Sequence, residues 1–170
     1  MKQQNNIRPI YFLFAGLSLF LFLSACSQGK KLSSGNTQEE VVQAINNDNW
    51  VFTAYNSNPQ IGRTRSGLTG VNEARYTKDS LIVYLPYFGR LYSGSEAMNS
   101  RGPLDFTSTN FEVVKEKKNG SWAITIKPKD HSPVQSMYFT LYDNGSAQLN
   151  VTLTNRSPIS YTGVVGKVTR

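Results

Sequence analysis

The residue types that carry most enzyme chemistry are scarce in this chain. Its 170 residues include one cysteine, Cys26, and one histidine, His131. One of each cannot supply the usual zinc ligand sets, and a single cysteine cannot form an internal disulfide. Neither a metal nor a cofactor is expected. Serines are plentiful, but none stands in a Gly-x-Ser-x-Gly elbow. Asp105 and Asp130 have no obvious carboxylate partner for glycoside hydrolysis. A phosphate-cradling glycine loop and a dinucleotide fingerprint are both missing. His131 lies in Lys129-Asp130-His131-Ser132-Pro133, a turn-like stretch that predicts a solvent-exposed ring. With no activated nucleophile and no paired acids, the expectation is a protein that is not an enzyme.

Cys26 has an informative setting. Lys2 and Arg8 precede a 14-residue run, Ile10–Leu23, interrupted only by Gly16 and Ser18. As a helix this run spans about 21 Å, short of the roughly 30 Å hydrocarbon core, so it reads as the apolar region of a signal peptide. Leu23-Ser24-Ala25-Cys26 follows, the pattern of a bacterial lipobox: one apolar residue, two small ones for the peptidase cleft, and a cysteine whose sulfur takes a diacylglyceryl group. The expected divisions are a signal peptide at 1–25, a lipidated Cys26 with a flexible tether at 26–36, and one domain at 37–170. Cleavage leaves 145 of 170 residues and removes two positive charges, lowering the net charge from +7 to +5. Two or more acyl chains hold a protein on a membrane stably, whereas one binds marginally. Ser27 rather than Asp follows the cysteine, and 27–31 carry no acid. The expected location is the outer membrane, lipid-anchored and facing the periplasm.

Thr37–Asn47 holds the one good helix signal. Thr37 can cap it, Glu40 stands three residues on as in a capping box, and Val41, Val42 and Ile45 form an apolar face. Such a helix packs on or plugs a β structure. From Trp50 onward the pattern is strands, read as eight: 50–56, 73–77, 81–86, 110–117, 121–127, 136–142, 146–154 and 160–167. They are rich in Val, Ile, Thr, Tyr and Phe and are bounded by Gly, Asn, Asp or Ser. Asn119-Gly120 and Asn144-Gly145 mark hairpins. A two-residue loop at the second would set Leu149 opposite Thr140. A three-residue loop, Asp143-Asn144-Gly145, sets Leu149 opposite Phe139 and Val151 opposite Met137. The latter keeps apolar side chains together, which predicts Gly145 in the left-handed region. At Asn119-Gly120 a two-residue loop pairs Val113 with Ile126. The expected fold is mainly β, an antiparallel up-and-down barrel of about eight strands with one short N-terminal helix, because closure removes exposed edges. Gly163 and Gly166 ease curvature in the last strand.

The connector Leu85–Phe106 holds Tyr87, Phe88, Arg90, Tyr92, Arg101 and Asp105, and connectors of this length are usually either functional or disordered. In one reading it is the mouth of a cavity, with aromatic faces for apolar or sugar-like surface and Arg90 or Arg101 for an anionic group. In the other it is a plug: Tyr87, Phe88 and Tyr92 fill the barrel end and Arg90 pairs with Asp105. Lys115, Lys117 and Lys118 sit near a hairpin tip beside Trp122, and the export address argues against nucleic acid.

The run LIVYLPYFGRLYS (81–93), Gly102-Pro103-Leu104-Asp105-Phe106, DNGSAQLN (143–150) and NRSPISYTG (155–163) resemble the small Bacteroidetes lipoproteins known as domain of unknown function 4251. The likeness runs from about Asn49 to Lys167. It implies a lipocalin-like barrel on an exported lipoprotein, and it implies no activity. Two functions are therefore expected: an envelope lipoprotein that binds a small amphipathic or anionic ligand, or a structural or protein-interaction module of the outer membrane. The partners are a membrane, reached through the lipid anchor, with either a small molecule or an envelope protein or glycan.

Overall fold

The computed structural model describes residues 37–92 and 102–168. Cys26, the tether and Arg101 lie outside the described residues. Among the described residues no helix is long and apolar enough to cross a membrane.

Thr37 opens helix α1 (Gln38–Asn46). The Glu40 N–H donates to Thr37 Oγ1 at 3.3 Å, and the Thr37 N–H donates to Glu40 Oε2 at 2.8 Å. This reciprocal box satisfies two donors that a helix start would otherwise leave unpaired. Val41, Ala44 and Ile45 are buried, and α1 packs on the first and last strands.

Ten strands follow: β1 (Trp50–Pro59), β2 (Arg65–Ser66), β3 (Glu73–Tyr76), β4 (Leu81–Tyr84), β5 (Asp105–Ser108), β6 (Phe111–Lys118), β7 (Ser121–Pro128), β8 (Val134–Tyr142), β9 (Ser146–Leu153) and β10 (Ile159–Lys167). The sheet order is β5-β4-β3-β1-β10-β9-β8-β7-β6, with β2 paired to β1. All pairs are antiparallel. The result is a nearly closed, barrel-shaped sheet. All eight expected strands occur. β2 was not expected because two polar residues carry no alternation. β5 shortens the expected 85–106 connector, since Asp105 and Phe106 pair with Tyr84 and Val83.

Both hairpin registers match the sequence reading. Leu149 faces Phe139 and Val151 faces Met137, while Val113 faces Ile126. Gly145 has φ 87°. The strict alternation in β9 buries Ala147, Leu149, Val151 and Leu153 and exposes the residues between them.

Among the described residues, apolar side chains occupy the interior. Trp50, Phe52, Phe139, Ile124, Ile126, Met137, Leu141, Leu149 and Tyr161 are fully buried. The Trp50 and Phe139 rings meet edge to face at 5.0 Å, and Phe52 meets Phe139 at 5.9 Å. Such ring pairs add about 0.5–1.5 kcal/mol beyond burial.

The edge strands β5 and β6 are neighbours in the chain but are not paired. Asp130, in the β7–β8 loop, clasps the turn that joins them. Its carboxylate accepts from the Ser108 hydroxyl at 2.5 Å and from the N–H groups of Thr109 and Asn110 at 3.0 and 3.2 Å. The Ser108 bond, then the Thr109 N–H, hold this carboxyl below the usual carboxylate range. Beside it His131 is half-buried rather than exposed. Its ring stacks on Phe106 at 4.0 Å, and Nε2 lies 3.0 Å from the Pro103 carbonyl. The sequence reading missed this because the stacking partner is 25 residues away, on β5. Lys115 ties β6 to α1, donating to the Ile45 carbonyl at 3.1 Å and to Asp48 Oδ1 at 2.5 Å.

Gly163 stands opposite Ala54, at the irregularity in β1 between Ala54 and Asn56. A Cβ at Gly163 would collide with the Thr53 carbonyl. Gly163→Ala is expected to lower stability by about 1–3 kcal/mol, measured by urea unfolding, and an unchanged midpoint would refute the tight approach. For Asp130 the folded pKa lies below the ordinary 3.8. Its stabilisation is thus present above that value and is lost as the pH falls through the folded pKa. Asp130→Asn is expected to be less stable than wild type at pH 7 and to lose less on acidification. Parallel stability curves for the two proteins would exclude the clasp.

Candidate functional site

Three segments meet where β1 ends and β10 begins: the β1–β2 loop, residues 85–92, and the β9–β10 turn. The Gln60 N–H donates to the Pro158 carbonyl at 3.0 Å, the Arg90 carbonyl accepts the Ser157 N–H at 2.8 Å, and the Tyr92 N–H donates to the Asn155 carbonyl at 2.8 Å. Leu91 forms a bridge with Arg156. Asn155 has φ 57°, a left-handed conformation that asparagine tolerates, and this reverses the chain at the turn.

Ser157 is the hub. It is fully buried. Its hydroxyl accepts the Arg90 N–H at 2.8 Å and lies 3.1 Å from the Tyr87 hydroxyl, which also donates to the Ser157 carbonyl at 2.8 Å. Below it, the buried Tyr161 hydroxyl donates to the Pro86 carbonyl at 2.7 Å. Burial pushes the Tyr87 phenol up, partly offset by Ser157 and by the Arg156 charge. Burial pushes Tyr161 further up. Both phenols therefore act here as neutral hydrogen-bond donors, and the Ser157 side chain is buried between them and the turn.

The rings carry cations. Arg65 Cζ sits 4.3 Å from the centre of the Phe88 ring, and Arg156 Cζ sits 5.6 Å from that of Tyr87. Arg90 is exposed, and Tyr92 is 58% exposed. No Asp or Glu occurs in 59–66, 85–92 or 154–158, which hold Arg63, Arg65, Arg90 and Arg156. A guanidinium presents a planar fork that matches carboxylate or phosphate geometry. The arrangement can hold an anion. It contains no exposed nucleophile beside a base, and among the described residues no group of three or more His, Cys, Asp or Glu could hold a metal ion.

Of the candidates named from the sequence, Tyr87, Phe88, Arg90 and Tyr92 meet at this end. Tyr87 and Phe88 are half-buried and close it, as in the plug reading, whereas Tyr92 points to solvent. Asp105 stands on β5, half-buried and opposite Tyr84. The ion pairs among the described residues are Arg75–Glu73, Lys115–Asp48 and Lys129–Glu112, so the expected Arg90–Asp105 pair is not formed. Arg101 lies outside the described residues. Sequence reasoning missed Arg65, Arg156 and Ser157. No local pattern marks Arg63-Thr64-Arg65. Arg156-Ser157 lay inside the NRSPISYTG run without a role.

The family profile described as domain of unknown function (DUF4251) matches residues 33–165. The fold is similar to a crystal structure of a DUF4251 family protein from Bacteroides eggerthii DSM 20697. That similarity has a TM-score of 0.51 at 12% identity and covers 76% of this chain and 87% of the other. No curated protein matches this chain.

Ser157→Ala is expected to strand the Arg90 N–H and to loosen the Tyr87 hydroxyl. The expected cost is about 1–3 kcal/mol, the range for a buried donor left unpaired. Proteolysis should cut within residues 85–92 sooner than in wild type. Equal stability and equal protease resistance would remove Ser157 from the centre of this end.

Proposed function

Because this chain belongs to the domain of unknown function (DUF4251) family, whose description assigns no activity, we propose a function from the site itself. The protein is an exported lipoprotein, held in the outer membrane through acylated Cys26 and facing the periplasm. It binds an anionic group at its arginine–aromatic end and performs no covalent chemistry. One observation carries this reading. Arg65 lies over the Phe88 ring and the exposed Arg90 stands two residues after that ring, while rings occupy the barrel interior. The ligand is therefore held on the surface of the end rather than inside the barrel. The signal-like run and Leu23-Ser24-Ala25-Cys26 support the anchor.

A second reading, an interaction module, is favoured by the β6 edge. Among the described residues no strand pairs with its outer side, and Val114 there is 59% exposed. An open edge can accept a strand from a partner.

The test has two arms. Labelled palmitate is expected to enter the wild-type protein and not Cys26→Ser. Calorimetric titration with inositol hexakisphosphate, a compact polyanion, is expected to show binding that weakens roughly tenfold for each of Arg65→Gln and Arg90→Gln, since one charged hydrogen bond contributes about 1.5–3 kcal/mol. Palmitate in the serine variant would overturn the anchor. Equal affinity in all three proteins, or no binding in any, would overturn the site.

A further inference from the structure

Four adjacent strands of the sheet, β8, β9, β10 and β1, are almost free of charge. They have nine, eight, nine and ten residues, and one charged side chain stands among them, Lys167 at the end of β10. On the far side of β7, the eight residues of β6 hold five charges: Glu112, Lys115, Glu116, Lys117 and Lys118. The chain as a whole is 17% charged, so the exclusion belongs to this face and not to the composition.

What stands in place of charge is ordered. Register sets Tyr138, Asn150, Ser160 and Asn58 in one row across the four strands. Thr140, Gln148, Thr162 and Asn56 form the next. Phe139, Leu149 and Tyr161 alternate with these positions and are buried, so both rows face outward. Within the second row Asn56 Nδ2 donates to Thr162 Oγ1 at 3.0 Å. Gln148 and Asn150 are exposed, and among the described residues no group hydrogen-bonds to their side-chain amides. Tyr138 and Tyr142 are exposed on the same side of β8, four residues or about 13 Å apart.

Charged groups lose most on leaving water, so a face without them costs less to dry. Its amides and hydroxyls both donate and accept hydrogen bonds, as a sugar hydroxyl does. The exposed phenol rings can take the C–H face of a pyranose. A protein partner is met by an apolar centre. Here the large hydrophobics exposed are Tyr55, Tyr138 and Tyr142, with no aliphatic side chain among them. Each of the four strands has a neighbour on both sides, so the backbone beneath the face is fixed before a ligand arrives.

We infer that this face binds an uncharged, extended glycan. Sugar rings stack on Tyr138 and Tyr142, and sugar hydroxyls bond to the amides of Gln148 and Asn150. The site shares no residue with the arginine end and does not depend on the anion reading.

The full-length chain, kept in detergent, is titrated calorimetrically with cellohexaose, an uncharged and extended oligosaccharide. Binding is expected. It should change less than twofold on going to 1 M sodium chloride, where charges are screened within about 3 Å. Tyr138→Ala and Tyr142→Ala should each weaken it roughly tenfold. Asn150→Asp, which adds a charge at nearly constant size, should also weaken it, whereas Arg65→Gln with Arg90→Gln should change it less than twofold. Circular dichroism confirms that each variant folds. No binding by the wild type would overturn the inference, as would tyrosine variants that bind equally well. Loss of binding in 1 M salt or in the arginine double variant would place the ligand on charge elsewhere and would also overturn it. A wild-type dimer in sedimentation equilibrium that Tyr138→Ala abolishes would assign the face to a second copy of the chain, with the same consequence. In each case the anion site stands or falls separately, on inositol hexakisphosphate.

Discussion

The edge-to-face contact between Trp50 and Phe139 spans the inside of the barrel, and the rest of the molecule is arranged around it. A ring from β1 and a ring from β8 meet where a carrier protein would keep space for a guest. Phe52, Tyr161 and the aliphatic side chains of β7, β8 and β9 complete the filling. Once the interior is committed to packing, the two ends must exclude water as well. α1 does this at one pole with Val41, Ala44 and Ile45. Tyr87 and Phe88 do it at the other. Outward from this seal, Arg65 lies over the Phe88 ring and Arg156 over the Tyr87 ring.

Interactions that are local in the chain were legible in the sequence, and those assembled across it were not. The Thr37–Glu40 box could be read because its partners are three residues apart. The registers of both glycine-bearing hairpins could be read because a one-residue slip would turn Leu149 or Val113 against polar neighbours. β5 was hidden because its four residues follow Gly102-Pro103 and gain their ladder only from β4, more than 20 residues earlier. The candidate site was half visible. Tyr87, Phe88, Arg90 and Tyr92 stand together in sequence, but Arg65 reaches them only from β2 and Arg156 only from the β9–β10 turn. Nothing in Arg63-Thr64-Arg65 announces an aromatic partner 23 residues on.

The arginine end is rigid for reasons that lie beneath it. The Tyr161 hydroxyl grips the Pro86 carbonyl from inside the barrel, and Ser157 fixes Arg90 and Tyr87 from the turn above. Such a base holds the backbone of residues 86–90 against the β9–β10 turn and the barrel wall. The buried phenols contribute order through the hydrogen bonds they donate to the Ser157 and Pro86 carbonyls.

The joining of β1 to β10 also bears on how the molecule comes into being. Asn56 and Thr162, hydrogen-bonded across this pair, are 106 residues apart in the chain. A polypeptide emerging from its N-terminus produces β1 early and must complete nearly every other strand before β1 finds its second neighbour. Closing so large a loop delays the reward of pairing until late, and proteins dominated by such distant contacts fold slowly. The sheet stays unfinished, with the inner edge of β1 unpaired, for as long as its last strand is missing.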